Sequence, residues 1–496
     1  MTKNFIISTP LYYANRSPHI GSAYTTIAAD VLARFHHLQG EQPYLVTGVD
    51  EHGQKIERAA AQARVSPEHH CNTISASFQD LWDRLDIRYN SFVRTSSSRH
   101  AAIVKDIFKR LWDNGDIYLG KQRGWYCVGC EEFKTEKDLL DNNHCPLHPN
   151  TQVEWRDEEN YFFRLSKYQD ALETIYSEKP ELIQPLSRRE EVLNFIRGGL
   201  KDFSISRLNT PWGIPVPQNE DHTFYVWFDA LLGYISGVFS NEKVKPVFDC
   251  HLVGKDILRF HAVYWLAILL AADLPLPKRI VAHGFLTKDG YKISKTLGNT
   301  IDPFELTERY GSDAVRYYFL KEVPFDRDGN YNESHFVDTV NADLANGLGN
   351  LLNRSVSLAH RYCGGRVPAG DRQNRLYHDL AVQAQNAYRS FAINESCEAC
   401  LQIIKQANKC INDEAPWAKY QEGDTEAANI SVYKALESVR LAAYLLSPVT
   451  PNLSLDIYRQ LGFEFPRILH GDDIWGVLQP GQKLSPPVPV YQKIKA

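Results

Sequence analysis

Two short segments of this chain carry residue types suited to holding a polyphosphate. Pro18-His19-Ile20-Gly21-Ser22 offers an imidazole that can donate a hydrogen bond, a glycine that lets the backbone come close, and a hydroxyl. Lys292-Ile293-Ser294-Lys295-Thr296 offers two ammonium groups, flanked by Gly290 and Gly298. Lysine is a point charge on a flexible stem, useful where a loop must close on phosphates as charge develops. Taken singly, each segment has a plainer reading: a histidine that caps a helix, and a solvated lysine-rich loop. Together, in this order, they predict the two halves of one ATP site.

A third group suggests a metal. Cys127-Val-Gly-Cys130 and Cys145-Pro-Leu-His148 form two knuckles with fourteen residues between them. Two thiolates, a third thiolate and an imidazole match tetrahedral zinc, with no position left for water, so the predicted site is structural. His144 lacks the spacing. Cys397 and Cys400 share the Cys-x-x-Cys spacing but fall within a helical pattern without a second pair, which predicts core packing.

The surrounding elements must place these groups. Phe5-Ile6-Ile7 reads as a buried strand, and the stretch Tyr24 to Gln39, apolar at Ile27, Val31, Leu32, Phe35 and Leu38, reads as a helix stopped near Gly40. A strand–loop–helix unit points unpaired N–H groups at the loop mouth, which suits an anion. A second strand is expected at Tyr44-Leu45-Val46, then helices through Gln79 and Ile107, an alternation typical of a parallel sheet. Aromatic, turn-rich sequence from about 118 to 222 breaks the rhythm. The sheet is expected to resume at Phe224-Tyr225-Val226 and His251-Leu252-Val253, with a further strand in Arg279–Phe285. Ligands of such folds lie beyond the carboxyl ends of the strands. After about Val340 the pattern is helical to Leu461, and the tail Pro480–Ala496 is expected to pack back. The predicted fold is therefore α/β: a Rossmann-type, doubly wound parallel-sheet catalytic domain (1–117 and 223–340), split by a zinc-binding insertion (118–222) and followed by a helical bundle (341–496).

Length and composition set outer bounds. At 496 residues and 43% hydrophobic content the chain can build about three domains with large cores. A net charge of -5 argues against a surface coated in basic charge for nonspecific nucleic-acid binding, so an RNA partner would have to meet a local basic surface. No stretch is long and apolar enough for a membrane span, and no secretory or transit pattern opens the chain. Nine cysteines, an odd number, suit a reducing compartment better than a disulfide framework. A cytoplasmic location is expected.

Several further segments, in consistent order, carry a specific resemblance. Thr47-Gly48-Val49-Asp50-Glu51-His52-Gly53, Ser206-Arg207 with Trp212-Gly213-Ile214-Pro215-Val216-Pro217, Tyr225-Val226-Trp227-Phe228-Asp229-Ala230, Gly254-Lys255-Asp256 and the whole stretch His283–Asp328 resemble those of class I methionyl-tRNA synthetases. The resemblance runs from Phe5 to the last helix. It implies a ligase that activates L-methionine with ATP to methionyl-adenylate, then transfers it to the 3′ end of tRNA(Met), initiator and elongator.

What the resemblance assigns can be stated residue by residue. His19, Gly21 and Ser22 would hold phosphates, with Lys292 and Lys295 stabilising the transferring and leaving groups and Mg²⁺ accompanying ATP. Gly254 and Asp256 would meet the ribose. Leu11, Tyr13, Trp227, Tyr234, Phe260 and His261 would surround the methionine side chain, whose polarizable sulfur suits aromatic edges, and Asp50 would pair its ammonium. Asn350, Arg354, Pro416 and Trp417 would read the anticodon. The knuckles would be the single-zinc version with Cys127, Cys130, Cys145 and His148. Ser22 departs from the pattern, standing where many relatives carry a second histidine. A C-terminal dimerisation domain is not seen in the sequence, which predicts a monomer. Other readings remain open: a noncatalytic RNA-binding relative, which would need damaged phosphate segments; another class I synthetase, of which the cysteinyl type would put zinc at the amino-acid pocket; or a nucleotidyltransferase, a much shorter type that lacks the helical domain.

Overall fold

The computed structural model describes residues 3–129, 131–140, 143–146, 148–208, 210–238, 247–293, 298–462, 464–465 and 474–495. Its centre is a six-stranded, wholly parallel sheet. The first half supplies Asn4–Tyr13 (β1), Ile20–Leu38 (α1), Gln42–Asp50 (β2), Gln54–Ala63 (α2), Pro67–Arg84 (α3), Ser91–Arg94 (β3) and Ser98–Asp113 (α4). Phe5 to Pro10 of β1 are buried without alternation, as expected of a central strand covered by helices on both faces.

The connective segment is largely antiparallel. It comprises Ile117–Cys127 (β4), Glu132–Lys134 (β5), His144–Cys145 (β6), His148–Gln152 (β7), Glu154–Phe163 (β8), Gln169–Glu178 (α5), Ile183–Gln184 (β9), Leu186–Arg197 (α6), Phe203–Ser204 (β10), Ser206–Leu208 (β11), Pro215–Val216 (β12) and Asn219–Phe224 (β13). The β4–β8 ribbon is its spine, paired from Ile117–Phe163 to Tyr126–Glu154. Strand β9 returns to the main sheet and pairs in parallel with the strand at Ile280.

The second half continues with Val226–Val238 (α7), Cys250–Gly254 (β14), Leu266–Ala271 (α8), Ile280–His283 (β15), Leu286–Lys288 (β16), Tyr291–Lys292 (β17), Pro303–Tyr310 (α9), Ser312–Glu322 (α10), Gly329–Tyr331 (β18) and Glu333–Val340 (α11). The sheet order is β3-β2-β1-β14-β15-β9. Strands run outward from the β1–β14 pair in both directions, which opens a crevice at their carboxyl ends. One sequence expectation fails: Phe224-Tyr225-Val226 does not resume this sheet. Strand β13 joins β11 and β12 in a separate antiparallel sheet, and Val226 already opens α7.

Helices Asn350–Tyr362 (α12), Arg375–Arg389 (α13), Ile393–Glu414 (α14), Pro416–Glu422 (α15), Thr425–Leu446 (α16) and Pro451–Gln460 (α17) form the bundle. Cys397 and Cys400 are fully buried on α14, within its core. The tail packs back: Val367 N–H donates to the Gln482 carbonyl at 2.9 Å, and Ile494 N–H to Asn341 Oδ1 at 2.8 Å. Arg316 of α10 locks bundle to sheet. Fully buried, it donates to Asp30 Oδ2 on α1 at 2.6 Å and to the Val449 carbonyl at 2.9 Å. None of the described helices is long and apolar enough to cross a membrane.

Candidate active site

Helix α1 begins at Ile20, four residues before the apolar periodicity does, because His19 caps it. His19 Nδ1 accepts from the N–H groups of Gly21 (3.0 Å) and Ser22 (3.3 Å), and Ser22 Oγ accepts from His19 N–H at 3.0 Å. This reciprocal box satisfies orphan donors of the first turn. Gly21 makes room for it: a Cβ there would sit 2.9 Å from His19 Cε1. The plainer reading of His19 as a helix cap is thus correct as geometry, and it has a chemical consequence. With Nδ1 accepting, the ring proton resides on Nε2. Desolvation, helped by the charge of Arg16, lowers the His19 pKa to about 4, so the ring is neutral at physiological pH and presents an N–H donor.

Two cavities meet at His19 and Gly21. The first, about 380 Å³, lies over the carboxyl ends of β1, β2 and β14, and the second, about 760 Å³, opens toward β17 and α9. Lys292, exposed at the end of β17, lines the second together with His19. The two phosphate segments therefore face one space. Lys295 lies outside the described residues. Gly254, which ends β14, and Asp256, just past it, line the first cavity, as does Ser22.

The far wall of that cavity is apolar and locked. Leu11, Tyr13, Trp227, Tyr234 and His261 all line it; Phe260 does not, but stacks behind Trp227 with ring centroids 3.8 Å apart and planes 4° apart. Phe260 and His261 begin a π-helical stretch, Phe260–Trp265, a local widening often found at sites. His261 Nδ1–H donates to the Ile257 carbonyl at 3.0 Å, so Nε2 accepts from Tyr234 Oη–H at 2.6 Å. Burial lowers the His261 pKa to about 4. The His261–Tyr234 pair thus shows a ligand neutral rings whose polar atoms already have partners.

Asp50, at the end of β2, is the anionic counterpart, 6% exposed. Burial first, then the nearby Asp229 and Glu131 carboxylates, pushes its pKa well up. Asp229 itself stays ionised. Burial would raise it, but His52 Nδ1 and His100 Nε2, each at 2.6 Å, outweigh that and hold it at about 2. A cationic group entering the cavity would meet Asp50 as its partner.

Sequence reasoning missed Lys55, Glu131, Thr25 and His283, which also line the first cavity. His283 Nε2 is 2.7 Å from Thr25 Oγ1 on α1, tying β15 to the capped helix. None carries a motif of its own; only the fold brings them together.

Two outlying groups complete the picture. Cys127, ending β4, and Cys145, in β6, are both buried in one small cluster with Val153. Cys130 and the side chain of His148 lie outside the described residues. On the bundle, Arg354 of α12 donates from Nη2 to Asn412 Oδ1 near the end of α14 at 2.7 Å. This joins the face bearing exposed Asn350 to the turn at Ala415, after which Pro416 is buried and Trp417 remains 38% exposed.

Comparison with known proteins supplies the context. Residues 5–151 and 134–356 match the family of class I tRNA synthetases (M), and residues 364–496 match the anticodon binding domain of methionyl tRNA ligase. A methionine–tRNA ligase of Thermosynechococcus vestitus is 53% identical, the alignment covering 100% of this chain and 98% of that protein. One from Nostoc is 52% identical over 99% and 98%. Mycobacterium tuberculosis methionyl-tRNA synthetase in complex with methionyl-adenylate superposes with a TM-score of 0.93 at 39% identity, covering 99% of each chain. The free-state structure of that protein superposes less closely, with a TM-score of 0.86.

Proposed function

Because this chain belongs to the class I tRNA synthetases of the methionyl type, we propose roles for its residues in that family's reaction. It is an aminoacyl-tRNA ligase: it activates L-methionine with ATP, giving methionyl-adenylate and pyrophosphate, and then transfers the methionyl group to tRNA.

The carboxylate of methionine is ionised at neutral pH, so its attack on the α-phosphorus needs no general base. What the protein must supply is alignment and stabilisation of charge on phosphorus and pyrophosphate. We assign the first to the cavity wall. Asp50 takes the ammonium, and Leu11, Tyr13, Trp227, Tyr234 and His261 surround the thioether, with Phe260 buttressing Trp227. Because the His261–Tyr234 pair is internally satisfied and uncharged, it offers sulfur a contact surface without demanding a strong hydrogen bond that a thioether cannot make.

The second task falls to His19 and the lysines. His19 Nε2–H donates to the phosphate chain beside the first turn of α1, where Gly21 lets that chain come close; the Ser22 hydroxyl, expected to meet phosphate, instead donates to the His19 carbonyl at 2.7 Å and holds the cap. Lys292 reaches the same space, and Lys295 completes the charge. Mg²⁺ with ATP would further neutralise the polyphosphate. Gly254 and Asp256 hold the ribose. The observation that carries this reading is the position of His19. It stands on the wall shared by the cavity containing Asp50 and the cavity containing Lys292, where the α-phosphorus must lie between amino acid and pyrophosphate.

The remaining assignments extend the same reading. Asn350, Arg354, Pro416 and Trp417 form the anticodon face for initiator and elongator tRNA(Met); single-stranded bases are read by hydrogen-bonding edges and aromatic stacking. Cys127, Cys130, Cys145 and His148 would hold a structural zinc. Two buried thiols in one apolar cluster fit such a group, which would pin the hairpins of a small insertion. We divide the chain into a catalytic domain at 1–117 and 223–340, an insertion at 118–222 that lends β9 to the main sheet, and the bundle at 341–496. We expect a cytoplasmic monomer.

The deciding experiment is amino-acid-dependent ATP–pyrophosphate exchange screened over the common amino acids, followed by charging of tRNA(Met). Exchange driven by methionine above all others is expected. Dominant exchange with another amino acid, or methionine exchange without charging of tRNA(Met), overturns the reading.

A further inference from the structure

We propose that Glu131, carried on the cysteine-bearing insertion, is a positioning residue of the amino-acid pocket, latching Tyr13 in place; the proposal rests on the methionine-binding reading above. Glu131 follows Cys130 in sequence, yet its side chain lies in the catalytic cavity and is 4% exposed. Tyr13 Oη–H donates to Glu131 Oε1 at 2.8 Å, and the His52 carbonyl stands 3.0 Å from the same hydroxyl. The N–H of Lys55 points at the same Glu131 oxygen at 3.5 Å, and the Lys55 ammonium sits 5.3 Å from the centre of the Tyr13 ring.

Two backbone features show that this contact is built into the fold. Glu131 has φ +56°, a left-handed conformation that a non-glycine residue keeps only where its surroundings fix it. Gly53 has φ +106°, and a Cβ there would fall 2.6 Å from Glu131 Oε1 and 2.7 Å from Tyr13 Oη. A side chain at position 53 would wedge the pair apart. Three segments far apart in sequence, the end of β1, the turn into α2 and the insertion, thus converge on one phenol.

The consequence is division of labour. Tyr13 ends the strand that also carries Leu11, and its ring forms part of the wall that must fit methionine. Rotation of the ring is limited if its hydroxyl is anchored, and the anchor comes from outside the parallel sheet. Glu131 acts through Tyr13 and touches no reacting atom, so its loss weakens the amino-acid fit and leaves the phosphate end intact.

The test is a kinetic and binding cycle on the full chain. Glu131→Ala should raise the methionine KM in pyrophosphate exchange about tenfold, the size expected for losing a buried hydrogen bond. The ATP KM and kcat should stay within about twofold, since a group that helps bind the ground state and the transition state equally leaves kcat alone. Glu131→Gln keeps an oxygen that can accept from Tyr13 and should recover to within about threefold of the parent. Compared at a pH above the raised Asp50 titration, where the Glu131 charge no longer decides Asp50 ionisation, Tyr13→Phe should match Glu131→Ala, and the double variant should be no worse than either, as for two residues acting as one unit. Methionine affinity by calorimetry should follow the same order, with metal content unchanged. An unaltered methionine KM in Glu131→Ala, effects that multiply in the double variant, or parallel loss of metal and ATP affinity would each overturn the latch. A parent protein that shows no methionine-dependent exchange would overturn the functional reading itself, and the latch with it.

Discussion

The catalytic cavity and the proposed anticodon face solve recognition in opposite ways. Around the cavity, Tyr234, His261, Asp50 and Asp229 are buried; Tyr234 and His261 bond each other, and Asp229 is held by His52 and His100, before any ligand enters. On the bundle, Asn350 and Trp417 are exposed, and Arg354 is held through Asn412 by a single described bond. A reaction that must align phosphorus with a carboxylate needs groups that do not reorganise. Reading splayed bases needs projecting edges and a free aromatic face. The difference predicts that the two sites fail separately.

The largest effect should come from His19→Ala. It removes the Nε2 donor and also the cap on α1, and loss of one preorganised donor to a developing charge costs about 10²–10³ in kcat. Pyrophosphate exchange should fall by that factor while the affinity for tRNA(Met) stays unchanged. Weakened tRNA binding in the same variant would break the separation. Next, Trp417→Ala should lower kcat/KM for tRNA charging about 10–100-fold, the worth of one stacked base, with methionine-dependent exchange nearly intact. Equal loss of both activities would show that Trp417 supports the fold.

A third effect sharpens the contrast through pH. Burial and the neighbouring carboxylates raise the pKa of Asp50, so part of its population is protonated where an exposed aspartate would be ionised. Only the ionised form pairs with an ammonium, so methionine binding pulls the pKa down and releases a proton. Affinity must then rise with pH through the raised pKa, by at most about tenfold per unit, until methionine's own amino group loses its proton. Methionine kcat/KM should climb over this range and Asp50→Asn should flatten it. The His19 ring, with a pKa of about 4, adds no titration there. Asn350, Arg354, Pro416 and Trp417 include no carboxylate, so tRNA affinity should lack this slope.

How much of this was legible in the sequence follows the same divide. The strand–loop–helix around His19 could be read because its signals are local: a short apolar run, a turn and a helical period. Even there the helix start was placed late, since an imidazole cap leaves no apolar periodicity. Residues Phe224 to Val226 look like a buried strand and pair with β11 and β12 instead, because a run of apolar residues says nothing about which sheet will receive it. Glu131 was invisible for a further reason. Its partner Tyr13 is 118 positions away, and the first of two adjacent glutamates after a cysteine reads as a solvated charge until the fold turns it inward. The bundle's surface residues were named from resemblance alone, since an exposed tryptophan after proline carries no period.

The smallest effect tests whether the exposed face needs anything from beneath it beyond a frame. Cys397 and Cys400 sit on α14, the helix whose last turns carry Asn412 and so hold Arg354. Both thiols are fully buried, and burial raises their pKa values, which keeps them protonated and unreactive. Cys400→Ala removes one buried sulfur and should cost about 1 kcal/mol of stability, read as a small drop in Tm. Because the cavity it leaves is small and α14 is braced by α13 and α16, tRNA charging and metal content should not move. Cys127→Ser, by contrast, should release the proposed zinc, since it removes one of the four proposed ligands. Loss of charging in Cys400→Ala without loss of fold would mean that the anticodon face is tuned from its core, as the catalytic cavity is, and the contrast between the two regions would disappear.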